Sequence, residues 1–173
     1  MSFKSFLSAI GAALFALAVI FLPVTAPAFA ASISINNATT AASLSLPAKQ
    51  TKNLPGFTND SDKPVKLELR VEGKWSLSRS YAKGAYNSVD GDGSDLPYTA
   101  GVIKFPEVKI GAIVSEIKDV KGQLKSLISG KEQTFELEPG ESVSFIINDD
   151  INFYENNLGE AIINYSVVSP CGK

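Results

Sequence analysis

The chain has 173 residues, a formal net charge of −2, one cysteine and no histidine. The missing histidine excludes a Ser-His-Asp triad and a His-ligated zinc site, and the single cysteine excludes an intrachain disulfide and a cysteine-cluster metal site. A sequence pI near 5.2 gives no basic surface for nucleic acid, so what remains is a small binding or structural module, or an enzyme that works with carboxylates alone.

Residues 1–30 have the composition of a secretory signal peptide. Lys4 is their one charged residue, the run Phe6–Leu22 is apolar, and Ala28-Phe29-Ala30 is a small-x-small cleavage pattern. The alternative is a retained membrane anchor, since the apolar run is near the shortest length that spans a bilayer. We expect a signal helix that is cleaved after Ala30. Cleavage would leave residues 31–173 as one domain, secreted or periplasmic.

The remainder of the chain predicts strands and turns. Val65–Glu72 alternates apolar and polar residues, which is the pattern of a half-buried strand. Glu138-Pro139-Gly140-Glu141 predicts a type II turn between two later strands. Further strands are predicted at Ile33–Ile35, Ser43–Leu46, Gly101–Phe105, Lys109–Ile117, Gly122–Ile128, Thr134–Glu138, Ser142–Asn148 and Ala161–Val168. Because no window has a persuasive 3.6-residue apolar period, we expect an all-β fold, a single β-sandwich or jelly roll.

A long connection from Trp75 to Ala100 contains the acidic run Asp90-Gly91-Asp92-Gly93-Ser94-Asp95. Aspartates at alternate positions beside glycines are typical of calcium loops, but Asp95 stands where an EF-hand requires glycine. Solvated turn residues are the favoured interpretation of the run, and a second metal site at Asp90, Asp92 or Asp95 is left open. Trp75 continues the inward side of the Val65–Glu72 alternation and is expected in the core.

The loop from Asn148 to Glu160 is dense in side-chain oxygens. Asp149 supplies a carboxylate, and Asn156 and Asn157 supply amide carbonyls, which are groups that Ca²⁺ binds in sets of six to eight oxygens. The alternative is a polar hairpin loop without a metal. Asp149 and Asp150 could also form a catalytic acid pair, but neighbouring side chains of an extended segment point to opposite sides.

The segment Asn148–Val167 resembles the calcium and sugar loop of the bacterial galactophilic lectins, the LecA or PA-IL type. The shared features are Asn-Asp ahead of the loop, a tyrosine two residues before Asn156-Asn157, Gly159 after them, and then an alternating strand. Upstream, Asp92–Pro97 is similar to the family's Gly-Asp-x-x-x-Pro stretch, and Gly111–Val114 is similar to one of its strands. The resemblance implies a galactose-binding-domain-like jelly roll.

The resemblance also implies one Ca²⁺ that orders the loops and coordinates sugar hydroxyls directly. Its ligands would be the side chains of Asp149, Asn156 and Asn157 and the backbone carbonyls of Phe153 and Ser78. The sugar would contact the positions Asp149, Asp150, Phe153, Asn156, Leu96 and Thr99. Leu96 replaces a histidine of the family, Thr99 a glutamine and Phe153 a threonine. Calcium ligands are therefore retained, while polar groups that recognise the sugar are lost.

The sequence favours an exported, calcium-dependent carbohydrate-binding protein without catalytic activity, whose partner is a saccharide or glycoconjugate. The first alternative is a metal-independent structural or interaction protein of the periplasm or cell surface. The second is a hydrolase that uses carboxylates alone, which needs two carboxyl groups facing one substrate bond. We expect no nucleic-acid partner and no membrane contact after signal cleavage, and we leave open a homo-oligomer.

Overall fold

The computed structural model describes residues 40–77, 88–95 and 101–168. These residues form two antiparallel sheets and one short 3-10 turn at Tyr154–Asn156, so the expected all-β sandwich is confirmed. Sheet I contains β1 (Thr40–Pro47), β3 (Val65–Glu72), β4 (Trp75–Ser76), β7 (Glu132–Leu137) and β9 (Leu158–Val168). Sheet II contains β2 (Leu54–Thr58), β5 (Ile113–Lys118), β6 (Leu124–Ser129) and β8 (Ser142–Ile147).

The strands pair in a nested order along the chain. Strand β1 pairs with β9, β2 with β8, β3 with β7 and β5 with β6, all antiparallel. The spatial orders are β1-β9-β3-β7 in sheet I and β2-β8-β5-β6 in sheet II, and the short β4 also pairs with β9. The chain is therefore one antiparallel ribbon folded over on itself. Its outermost pair brings Thr40 opposite Val167.

The hydrophobic core lies between the two sheets. In β3 the alternating residues Val65, Leu67, Leu69 and Val71 are buried, which confirms both the bounds and the inward face predicted for this strand. Strands β2, β5 and β8 contribute the facing side chains, among them Phe57, Ile113, Ile117, Val143, Phe145 and Ile147. Trp75 is also buried, as expected, and its Nε1 donates a hydrogen bond to the Gly111 carbonyl at 3.1 Å.

A second apolar cluster covers the outer face of sheet II. Val114 and Ile146 pack there with Tyr154, Phe105 and Val108, so β5 is buried on both faces. The segment 102–109 that forms this cover is fixed by Asn148. The Asn148 Oδ1 accepts the Phe105 N–H at 3.0 Å, and its Nδ2 donates to the carbonyls of Phe105 at 3.0 Å and Val108 at 2.8 Å.

Two sequence predictions for the strands were wrong. Gly101–Phe105 is not a strand, because only Ile103 forms an isolated bridge, to Asp150. The segment ahead of β5 turns at Gly111, where φ is 82°, so β5 begins at Ile113 rather than at Lys109. The turn at Glu138–Glu141 is confirmed as type II, with a hydrogen bond from the Glu141 N–H to the Glu138 carbonyl and φ of 79° at Gly140.

Several sequence predictions concern residues outside those described. They are the signal peptide at residues 1–30, the strand at Ile33–Ile35 and the site positions Ser78, Leu96 and Thr99. The described part of the chain has no helix with the length and hydropathy needed to cross a membrane.

Candidate functional site

The candidate site lies at the end of the sandwich where β8 runs into β9. Asn148, Asp149 and Asp150 follow the last residue of β8, and Asn157 directly precedes β9. The connection from β1 to β2 and the segment 102–105 reach the same end, since Ala48, Val102 and Lys104 all hydrogen-bond to this loop. Two other parts of the chain therefore meet the loop that the sequence singles out.

Asp149 and Asn157 are in direct contact inside this end of the sandwich. Their relative exposures are 2% and 0%, and the Asn157 Nδ2 donates to the Asp149 Oδ2 at 2.7 Å. The same Nδ2 donates to the Ala48 carbonyl at 2.9 Å, and the Asp150 N–H donates to the other oxygen of Asp149 at 2.7 Å. The fold thus brings together two of the predicted metal ligands that are eight residues apart in the chain.

The electrostatics of Asp149 favour a neutralising partner. Burial raises the pKa of its carboxyl, the hydrogen bonds from Asn157 and the Asp150 N–H lower it, and the nearby charge of Asp150 raises it again, with a net increase. The two groups that donate hydrogen bonds to the Asp149 carboxylate, the Asn157 Nδ2 and the Asp150 N–H, are neutral. A cation in contact with this carboxylate would favour its ionised form and offset the desolvation.

Two buried amide oxygens in the same loop as Asp149 have no hydrogen-bond partner within the described residues. They are the Oδ1 atoms of Asn156 and Asn157. A buried oxygen without a donor costs about 1–3 kcal/mol, so a group that binds both oxygens would stabilise the loop. One carboxylate and two amide oxygens suit a hard cation such as Ca²⁺, and these residues therefore fit the metal that the sequence predicts.

Two further site residues from the sequence analysis have local structural contacts. The Asp150 side chain is buried, and its oxygens accept the N–H groups of Val102 at 3.2 Å and Asn152 at 3.0 Å. Phe153 exposes its ring, and its carbonyl accepts the Asn156 N–H at 3.1 Å while a second lone pair remains. Asp150 thus connects the loop to the segment 102–105, whereas Phe153 lies at the rim of the site.

The side chain of Tyr154 holds the 3-10 turn against the outer face of sheet II. Its hydroxyl donates to the Ile147 carbonyl at 2.7 Å, and burial is the main reason that the pKa of this phenol is raised. The turn ends at Asn156 and is followed by Asn157, which contacts Asp149. Sequence analysis missed Ala48 and Val102 as neighbours of the site, because both contact it through backbone atoms, which carry no residue-type signal.

The acidic run Asp90–Asp95 forms a separate turn with structural contacts. The Asp92 Oδ1 accepts the Lys131 N–H at 2.8 Å, and the Asp90 Oδ1 accepts the Asp92 N–H at 3.1 Å. Asp95 pairs with Lys109, whose hydrogen bond and charge lower the pKa of the Asp95 carboxyl. The described ranges contain no group of three or more His, Cys, Asp or Glu side chains placed to hold a metal.

A shallow groove on the outer face of sheet I lies away from this loop. Its lining includes Ser43, Arg70, Glu132 and Asn164, which occupy one row of paired positions across the four strands. These four are outward-facing positions of an exposed sheet. The lining also includes Tyr165, whose buried hydroxyl has no hydrogen-bond partner within the described residues, but the β8–β9 loop has two such oxygens together with a buried carboxylate. The loop is therefore the better candidate site.

Comparison with known proteins shows no family membership for this chain. No family model matches the sequence, and no curated protein matches it. A solved structure described as "EclA N-terminal domain; PllA-like lectin" aligns with a TM-score of 0.47 and 12% sequence identity. The alignment covers 73% of this chain and 95% of that one.

Proposed function

We propose that this protein is a calcium-dependent carbohydrate-binding protein without catalytic activity. The observation that supports the proposal most directly is the pair of buried, unpartnered oxygens on Asn156 and Asn157, in the same loop as the buried carboxylate of Asp149 that Asn157 contacts. The nested strand pairing supports the finer fold assignment, since the orders β1-β9-β3-β7 and β2-β8-β5-β6, with the short β4 as an addition to the first sheet, match the two four-stranded sheets of a jelly roll formed from one folded ribbon.

Asp149, Asn156 and Asn157 would hold the Ca²⁺ through side chains, with the Phe153 and Ser78 carbonyls as the further protein ligands. A bound Ca²⁺ supplies open coordination positions that accept a pair of neighbouring sugar hydroxyls. Asp149 and Asn156 would also hydrogen-bond to those hydroxyls. The loss of polar groups at Leu96, Thr99 and Phe153 favours a saccharide other than the galactose of the resembled family.

Export is part of the same proposal. Residues 1–30 would be a signal peptide cleaved after Ala30, and residues 31–173 would act as one domain in the periplasm or outside the cell. Extracellular calcium modules have dissociation constants of about 10⁻⁴–10⁻³ M, so a site with few carboxylates would be filled outside the cytoplasm.

The test is thermal unfolding of residues 31–173, which include every described element, in millimolar Ca²⁺ and in excess chelator. A ligand at 100 times its dissociation constant that binds only the folded chain adds about 2.7 kcal/mol. We expect a midpoint shift of about 5–10 °C. Asp149→Ala and Asn157→Ala should abolish the shift. Asp95→Ala is the matched control and should retain it, because this exposed carboxylate pairs with Lys109 outside the site.

The readout is the difference between the unfolding midpoint in calcium and the midpoint in chelator. A variant that is less stable in both conditions can therefore still be tested for calcium binding. Asn156→Ala provides a second variant, since this residue is only half-buried. An unchanged midpoint in the parent chain would reject calcium binding and leave the metal-independent interaction protein as the function. If calcium binds, a glycan array in calcium and in chelator tests sugar recognition, and binding to no glycan would reject the carbohydrate-binding function.

A further inference from the structure

Of the seven exposed large hydrophobic side chains of the described residues, four lie at the end of the sandwich that carries the candidate site and three, including Leu127 of β6, lie elsewhere. Val102, Ile151 and Phe153 are 59%, 53% and 50% exposed, and we call these three side chains the apolar rim. Leu158 lies at the same end, whereas Val120 and Leu124 are exposed at the opposite end. The chain thus keeps apolar groups in water beside a buried polar site.

Two members of the apolar rim point the same way. The bridge between Ile103 and Asp150 is antiparallel, so Val102 lies directly opposite Ile151, and directly opposed side chains share a face. A hydrogen bond of 3.1 Å from the Ile151 N–H to the Val102 carbonyl holds this pair together. The exposure of Val102 and Ile151 is therefore fixed by hydrogen-bonded backbone.

The backbone donors of the apolar rim are all satisfied within the protein. Besides Ile151, the N–H of Val102 donates to the Asp150 Oδ2, and the N–H of Asn152 donates to the Asp150 Oδ1. The N–H of Phe153 donates to the Asp150 carbonyl at 3.0 Å. A loop tip can enter hydrocarbon only when its backbone groups are bonded internally, because hydrocarbon offers no acceptor.

We infer that the apolar rim is a docking surface for a lipid bilayer. A peptide strand that paired with this tip would need free backbone donors, whereas acyl chains need only apolar side chains. Lys49 and Lys52 are exposed on the neighbouring β1–β2 connection and would lie at the headgroup level, and Glu155 is the exposed acidic residue of the loop itself. This inference does not depend on a bound metal, and it differs from the sequence expectation of no membrane contact after signal cleavage.

The experiment measures binding of residues 31–173 to phosphatidylcholine vesicles containing phosphatidylglycerol, with Ca²⁺ and with chelator. Val102→Ser combined with Ile151→Ser should lower the partition coefficient about tenfold or more. Val120→Ser combined with Leu124→Ser, at the opposite end, is the matched control and should leave it unchanged. Absence of vesicle binding in both conditions, or equal loss in both double variants, would overturn the inference.

A second readout reports the position of the rim directly. The fluorescence of Phe153→Trp should be quenched by brominated lipid, and that of Leu124→Trp should not, while Trp75 is buried in the core of both variants. Quenching of Leu124→Trp alone would place the other end of the molecule on the membrane and overturn the inference. Calcium-dependent thermal stabilisation is unaffected by these outcomes, so the proposed function is tested separately.

Discussion

Asn148 shows how a single side chain can organise a site without belonging to its chemistry. The side chain is fully buried and bonds to both backbone groups of Phe105 and to the Val108 carbonyl, which holds the segment 102–109 against sheet II. That segment carries Val102, which reaches Asp150 in the next part of the loop. Asn148 and Asp150 therefore hold the segment 102–109 against the β8–β9 loop. Asp149, which lies between them in the chain, contacts Asn157.

Glu141 makes the stability of the type II turn dependent on pH. Burial raises the pKa of its carboxyl. The hydrogen bond from Lys125 at 2.7 Å, the bond from the Glu138 N–H and the charge of Lys125 together lower this pKa by a larger amount. The net pKa of Glu141 is therefore below the ordinary 4.5. A lowered folded-state pKa gives stability that is present above the unfolded value and lost as pH falls through the folded value.

We therefore expect Glu141→Gln to reduce the free energy of unfolding by about 1–3 kcal/mol at pH 7 and by much less at pH 3. Urea denaturation at several pH values between these limits measures the difference. Glu136→Gln is the matched control, since this exposed glutamate of β7 should show no such loss. A deficit for Glu141→Gln that stays constant as the pH falls would contradict the ionic contribution.

Among the elements, the strands with regular alternation could be predicted from the sequence and the irregular ones could not. Val65–Glu72 was predicted with its observed bounds because each residue type matches its face. Strand β2 was missed because Pro55 and Gly56 are unusual in strands. Gly56 is required there because a Cβ at this position would overlap the Phe145 ring of the neighbouring strand, a contact that only the folded sheet reveals.

In the candidate site, too, the contacts that depend on the folded sheets could not be predicted from the sequence. The spacing of Asp149, Asn156 and Asn157 within one loop predicted their proximity, and the Asp149–Asn157 contact is observed. The bond from Asn157 to the Ala48 carbonyl depends on the pairing of β1 with β9, which lie at opposite ends of the domain sequence. A residue that contacts the site through its backbone, after distant strands have paired, cannot be recognised in the sequence because any residue type has the same backbone groups.

The acidic turn at residues 90–95 allows a test that distinguishes a structural role of the Asp92 side chain from a role in metal binding. Its Asp92 side chain accepts the Lys131 N–H, and its Gly91 carbonyl accepts the Ile113 N–H at the start of β5. We expect Asp92→Ala to cost about 1 kcal/mol, because it removes the acceptor, and Asp92→Asn to cost less, because an amide oxygen can replace it. Urea denaturation measures both, and calcium titration should show no change in either variant. Weaker calcium binding in both variants would instead identify a second metal site.

At the scale of the whole molecule, the nested pairing connects the two ends of the described chain. Thr40 is opposite Val167, so residues 169–173 and 31–39 can be joined directly in a circular permutant. New ends between Lys121 and Gly122 open the β5–β6 turn, where a Cβ on Gly122 would meet no atom within 4 Å. In this permutant β1 and β9 become the innermost pair and β5 and β6 the outermost, so the ribbon stays nested.

We expect this permutant to fold with the parent's circular dichroism spectrum and the same calcium-dependent shift of the melting temperature, because every strand pair and the β8–β9 loop are retained. The matched control places the new ends between Leu67 and Glu68, in the centre of β3, which pairs with both β7 and β9. That control should fail to fold, since it divides a central strand. If the permutant opened at Gly122 also failed, the β5–β6 hairpin would have to form first for the remaining pairs to add around it.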